Sequence, residues 1–201
     1  VVKNRFDNIN SSEAPSLEKA LTLLEDCRRH GTLVFAHLAR SAFVAIALLK
    51  SAVHKEVISQ EAMNSFLNSI KTVAHEFIDD AKGVAEQKVT WSEFVNRYGH
   101  LRPGTYDITS ESYADNIEKY LKPAIESAKD NNKHEPIKNN DAWLNEKQKF
   151  SDALSNIGIK EDIGTIEIFF RRAIEGREYA KFIFSRNLSS ALDCIVDYGK
   201  E

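Results

Sequence analysis

The scarcity of chain punctuation constrains this sequence most: 201 residues carry only 8 Gly and 4 Pro. Few breakers at this length predict long uninterrupted elements, and helices sustain such lengths more readily than strands. No alternating strand pattern of useful length and no fixed-period repeat interrupts the picture. The sequence therefore predicts an all-α fold, a multi-helix bundle. It forms a single helical domain, or two lobes at about 1–130 and 141–201 joined by a polar, Pro136-containing linker at 130–140.

Helical spacing supplies the elements. Leu17, Leu21, Leu24 and Cys27 mark a helix over Ser16 to His30, with Pro15 before it and Gly31 as its stop. Thr32 to about His54 is apolar on most sides and belongs in the middle of a bundle. Its His37, Arg40 and Lys50 speak against a membrane span. Ser59 is an N-cap for a third helix to about Lys82, ended by Gly83. Thr90-Trp91-Ser92-Glu93 is a capping box opening a short helix that stops at Gly99. Helical periodicity resumes over Ser112 to Lys129 with a break at Pro123, and again over Asp141 to Asn156. A long helix follows from Glu161 to about Asn187, supported by the i,i+4 pairs Glu167–Arg171 and Arg171–Glu175. Ser189 caps a last helix ending at Gly199.

The formal net charge of −3 provides no basic footprint, so nucleic-acid binding has no electrostatic support. Cys27 and Cys194, the two cysteines, lie far apart in sequence and suit a reducing, cytoplasmic compartment with free thiols. Val1 to Arg5 matches neither a signal peptide nor a transit peptide, and Met63 is the single Met, as in a piece of a longer chain. No phosphate loop, dinucleotide fingerprint or zinc spacing is present. His75 and Asp79 share a helical face and read as a surface ion pair rather than a metal site.

The segment Tyr98-Gly99-His100-Leu101-Arg102-Pro103-Gly104-Thr105-Tyr106-Asp107-Ile108 concentrates polar chemistry. Pro103-Gly104 suits the centre of a type II turn, which predicts a rigid loop near residues 99–109. An imidazole, a guanidinium, phenols and a carboxylate within such a loop compose a recognition site on a helical scaffold. The same residues also suit a locking role, in which Arg102 pairs with Asp107 and the rings pack beneath. A second charged cluster, Arg171-Arg172 with Arg177 and Lys181, reads as a solvated helix face.

Together with Gly31-Thr32-Leu33-Val34-Phe35-Ala36-His37-Leu38-Ala39-Arg40, and with Arg177 through Phe182 and Asn187-Leu188-Ser189, that loop resembles the helical central region of phosphoenolpyruvate synthase-like proteins. These form a group with pyruvate phosphate dikinase and rifampin phosphotransferase. The resemblance runs from about Gly31 to Gly199 and is most specific at Tyr98 to Asp107. It implies a parent enzyme with a nucleotide-binding domain, a phosphohistidine domain and an acceptor site, using ATP and Mg. This chain would be the helical acceptor-recognition and domain-bridging module. It has no cofactor of its own, and no catalytic role alone, because none of its six His sits in a phosphohistidine loop. The implied contacts to a small-molecule acceptor are His100, Arg102 and Arg40, with Tyr98, Tyr106 and Asp107 shaping the site. The partners are the other domains of the same chain, not nucleic acid or membrane. The alternative is a structural or protein-interaction bundle without a small-molecule site.

Overall fold

The computed structural model describes residues 2–130 and 140–200, and every regular element among them is helical. In chain order these are α1 (Val2–Asn10), α2 (Ser16–Asp26), a π-helical turn (Cys27–Thr32) and α3 (Leu33–His54). Then follow α4 (Gln60–Asn68), α5 (Val73–Ala85), α6 (Trp91–Tyr98), α7 (Ile117–Tyr120), α8 (Lys122–Asp130), α9 (Asp141–Asn156) and α10 (Ile163–Tyr198). The fold is an all-α helical bundle. The central part of the expected linker lies outside the described residues.

The chain divides into two compact units, and both are discontinuous in sequence rather than consecutive lobes. The first comprises Val1–Phe35, Val73–Asn132 and Tyr179–Glu201; the second comprises Ala36–Thr72 and Lys133–Glu178. The first unit has a core of Ala81, Phe94, Tyr98, Leu121 and Ile125, with α5 packed on α6 and α8. The second surrounds Ala42, Leu49, Phe66, Trp143, Phe150 and Phe170, with α4 packed on α9. Here Trp143 Nε1 donates to Glu167, which solves the polar demand of a fully buried indole.

Helix ends follow local chemistry where the sequence signals are strong. Ser59 accepts from the Ala62 amide, and the Thr90–Glu93 capping box is complete in both directions. At the end of α9, Gly158 takes φ +94 while Ile159 N bonds Leu154 O at 3.0 Å and Gly158 N bonds Ser155 O at 3.1 Å, a Schellman motif. The same bonds close α3 at Glu56 (φ 57) and α5 at Gln87 (φ 61), where a non-Gly residue takes the left-handed position.

Several expected boundaries move. Gly83 does not stop α5; it is buried beneath Val89, and Gln87 turns the chain. The third helix divides into α4 and α5, because Arg171 donates to the carbonyl (3.1 Å) and hydroxyl (2.8 Å) of Ser69 at the end of α4. Arg171 is therefore not the partner of Glu167 or Glu175, yet its helix forms. Regular helix resumes at Ile117 rather than Ser112, and the break falls at Leu121, with Pro123 in the first turn of α8. Ser189 is no cap but a buried interior residue of α10, which runs unbroken to Tyr198.

Gly31 is not a stop either: α2, the π turn and α3 are continuous over Ser16–His54. Among the described residues this is the one helix long and apolar enough to cross a membrane by length and composition. Contrary to the expectation of a central bundle helix, it is not buried all round. Ala39, Ala42, Ala45, Leu49 and Ala52 are buried, while Leu33, Val34, Phe43 and Val44 are exposed. Gly31 faces Phe184, whose Cβ would lie 2.6 Å from any Cβ added there. Gly31→Ala gains about 1 kcal/mol of helix propensity but overpacks this contact, which costs about 1–3 kcal/mol. A lower melting temperature is expected; an unchanged or higher one in thermal unfolding would show that the contact yields freely.

Candidate functional site

Within the first unit, the loop between α6 and α7 is held by the polar groups that the sequence marks for recognition. Leu101 and Gly99 carbonyls accept from Tyr113 N (2.8 Å) and Ala114 N (2.9 Å), tying the loop's start to its end. The expected type II turn does not form, since Gly104 has no positive φ. The chain turns instead at Gly104–Asp107 (Asp107 N to Gly104 O, 3.0 Å) and again at Asp107–Ser110. Gly104 is required by proximity, because a Cβ would lie 2.8 Å from that of Asp107.

Arg102 is only 4% exposed and fully engaged. Its Nε donates to Ser189 Oγ at 2.9 Å, Nη1 to the Ser110 carbonyl, and Nη2 to Asp193 and, at 3.3 Å, to the Ser189 carbonyl. The planar fork thus joins the loop to α10. Its partner is Asp193 and not Asp107, whose carboxylate accepts from Thr109 N (2.9 Å) and Oγ1 (2.7 Å). Those two bonds hold the Asp107 carboxyl below its ordinary pKa.

His100 Nε2 donates to the Phe182 carbonyl at 3.1 Å. Burial first, and then the Arg186 charge, push its pKa down to about 4. Tyr98 is fully buried and donates to Asp80 at 2.8 Å; burial raises its phenol pKa. Arg40 is exposed on α3 and belongs to the second unit, whereas the loop belongs to the first. Of the five predicted residues in the first unit, Tyr106 lines a cavity. Tyr98, His100 and Arg102 turn inward and hold the fold, Asp107 shapes its own turn, and Tyr106 is widely exposed at 71%.

Tyr106 borders a cavity of about 290 Å³ built on the π turn. Cys27, Arg28, Thr32 and Phe35 come from the π turn and its flank, and Leu188 from α10. Leu24 and Phe184 complete the wall, the latter edge-to-face with Phe35 at 5.7 Å between ring centres. A π turn inserts one residue into the helical ladder and often marks a functional site. Here it widens the buried spacing from Asp26 to Gly31 to five residues, and Thr32 Oγ1 donates to the Cys27 carbonyl at 3.1 Å. Cys27 Sγ donates to the Phe184 carbonyl at 3.5 Å, and burial pushes the thiol pKa up to about 11, so it is neutral and unreactive. Asp26, buried beside it, is neutralised by a forked pair with Arg5 at 2.6 to 3.0 Å.

Sequence reasoning named Tyr106 but passed over Cys27, Arg28, Thr32 and Leu188 as site residues. Nothing local in the sequence marks these four, since Leu24, Cys27, Gly31, Phe35 and Leu38 keep ordinary helical spacing. Along α10, Phe170 and Phe184 are buried, whereas Phe169 is exposed. Among the described residues no group of three or more His, Cys, Asp or Glu could hold a metal ion. Comparison with protein-family models, curated proteins and solved structures gives no match.

Two outcomes follow. Arg102→Ala should destabilise the chain by about 2–4 kcal/mol in urea unfolding, because it strands buried acceptors, and Arg102→Lys should recover only a minor part. A loss below about 0.5 kcal/mol, the scale of an ordinary surface change, would show that the node holds nothing. For His100, folding lowers the pKa, so the unfolded chain binds the extra proton between about pH 6.5 and 4. Its contribution is complete above pH 6.5 and falls as pH drops to about 4, by up to about 3 kcal/mol. His100→Gln should flatten that part of the stability profile; an unaltered pH slope would contradict the assignment.

Proposed function

We propose that this chain is the helical acceptor-recognition and domain-bridging module of a phosphoenolpyruvate synthase-like phosphotransferase. In this reading the acceptor sits in the cavity at the π turn. One observation carries it: the three stretches on which the family resemblance rests contribute to this one cavity. Thr32 and Phe35 come from the first stretch, Tyr106 from the second and Leu188 from the third. Chemistry would then come from the nucleotide-binding and phosphohistidine domains of a longer cytoplasmic chain using ATP and Mg. Arg102, His100 and Tyr98 support the site by holding its walls, and Tyr106 meets the acceptor. At about 290 Å³ the cavity lies at the small end of ligand pockets, so the acceptor, or the part of it that enters, is small.

A second reading, a protein-docking bundle without a small-molecule site, is favoured by Phe43 and Val44 on α3 and Ile168 and Phe169 on α10. These large apolar side chains of the second unit are left exposed. Benzyl alcohol, an aromatic ring bearing an acceptor-type hydroxyl, separates the two readings. In an NMR titration of the 201-residue chain it should give saturable shifts at Thr32, Tyr106 and Leu188, and Tyr106→Ala should weaken binding about threefold to tenfold, the effect of one aromatic contact. Shifts confined to residues outside the cavity would leave the docking reading.

A further inference from the structure

The chemistry of the cavity wall specifies its ligand further than the family resemblance does. Arg28 is the one charged side chain on the wall. Its Nε (2.8 Å) and Nη2 (2.7 Å) rest on Glu25, and Nη1 makes no hydrogen bond among the described residues. The same Glu25 also accepts from Arg29, so one carboxylate serves two guanidinium groups and one positive charge is left over at the rim. The adjacent acid on the same helix, Asp26, is matched by Arg5, and the Asp107 carboxylate beside Tyr106 is turned onto Thr109. The Cys27 thiol is neutral and adds no negative charge.

The remaining wall is apolar and aromatic, apart from hydroxyls. Phe35, Phe184 and Leu188 offer edges and faces for a ring. Tyr106 lies at an exposed position where its ring is free to cover one. The Thr32 hydroxyl donates inward to the Cys27 carbonyl and keeps its oxygen as an acceptor. The cavity of about 290 Å³ exceeds the ~150 Å³ that holds a benzene ring, so a six-membered ring with one acidic substituent fits.

We infer that the π-turn cavity binds a small aromatic monoanion, with its ring among Phe35, Phe184 and Tyr106 and its anionic group on Arg28. This rests on the cavity being the acceptor site proposed above. The test is an NMR titration of the 201-residue chain with benzoate, with benzyl alcohol as the neutral counterpart and inorganic phosphate as the ringless anion. Benzoate should bind at Cys27, Thr32, Tyr106 and Leu188 more tightly than either comparator. Arg28→Gln, an exposed substitution, should weaken benzoate about fivefold, the upper range of a solvent-exposed charge pair, and leave benzyl alcohol unchanged. Equal binding of benzoate and benzyl alcohol, or an Arg28→Gln variant with wild-type benzoate affinity, would overturn the anion assignment and leave the cavity as a site. Phosphate binding as tightly as benzoate would overturn the aromatic part. Absence of cavity shifts with all three compounds would overturn both this inference and the site on which it rests.

Discussion

The architecture around the cavity depends on a single buried guanidinium. Arg102 reaches four acceptors, three of them on α10, and those partners lie 87 and 91 residues away in sequence. A charge with 4% exposure is tolerable only when its donors are satisfied, and here the Ser110 carbonyl, Ser189 and Asp193 satisfy them. Because the loop is fixed on α10 from within, its outer arm can leave Tyr106 in solvent beside the π turn. The loop is held by long-range hydrogen bonds and two successive turns, not by a type II turn at Pro103-Gly104.

The π turn follows the same logic of close contact. Gly31 allows α10 to approach at Phe184, and the extra residue in the ladder swings Cys27, Arg28 and Thr32 toward one cavity. In an ordinary α-helix Arg28 and Thr32 already share a face, whereas Cys27 and Thr32 lie about 140° apart, and the extra residue of the π turn narrows that separation. Glycine costs helix stability at this position, so packing against Phe184 decides the conformation over intrinsic propensity.

Much of the fold was legible because its signals are local. The Thr90–Glu93 capping box, the Ser59 cap and α9 from Asp141 to Asn156 all depend on residues within a turn of one another. The local signal misleads where a distant partner overrides it. Ser189 resembles a cap, but Arg102 engages it inside a continuous helix. Gly31 and Gly83 resemble stops, but each admits a neighbouring side chain. Asp107 is the local partner that sequence offers Arg102 five residues away, and Asp193 at 91 residues takes it. Of the six residues marked for a site, only Tyr106 borders the cavity, because Tyr98, His100 and Arg102 are engaged inside the fold.

Native-state amide hydrogen exchange on the unmodified chain tests the locked loop most directly. The amides of Tyr113 and Ala114, which bond the Leu101 and Gly99 carbonyls, report on the loop's closure. If Arg102 unites the loop with α10, these two amides should exchange as slowly as those of α10 around Ser189 and Asp193 and open in the same cooperative event. Exchange of Tyr113 and Ala114 at rates typical of a free surface loop, while α10 stays protected, would contradict the account.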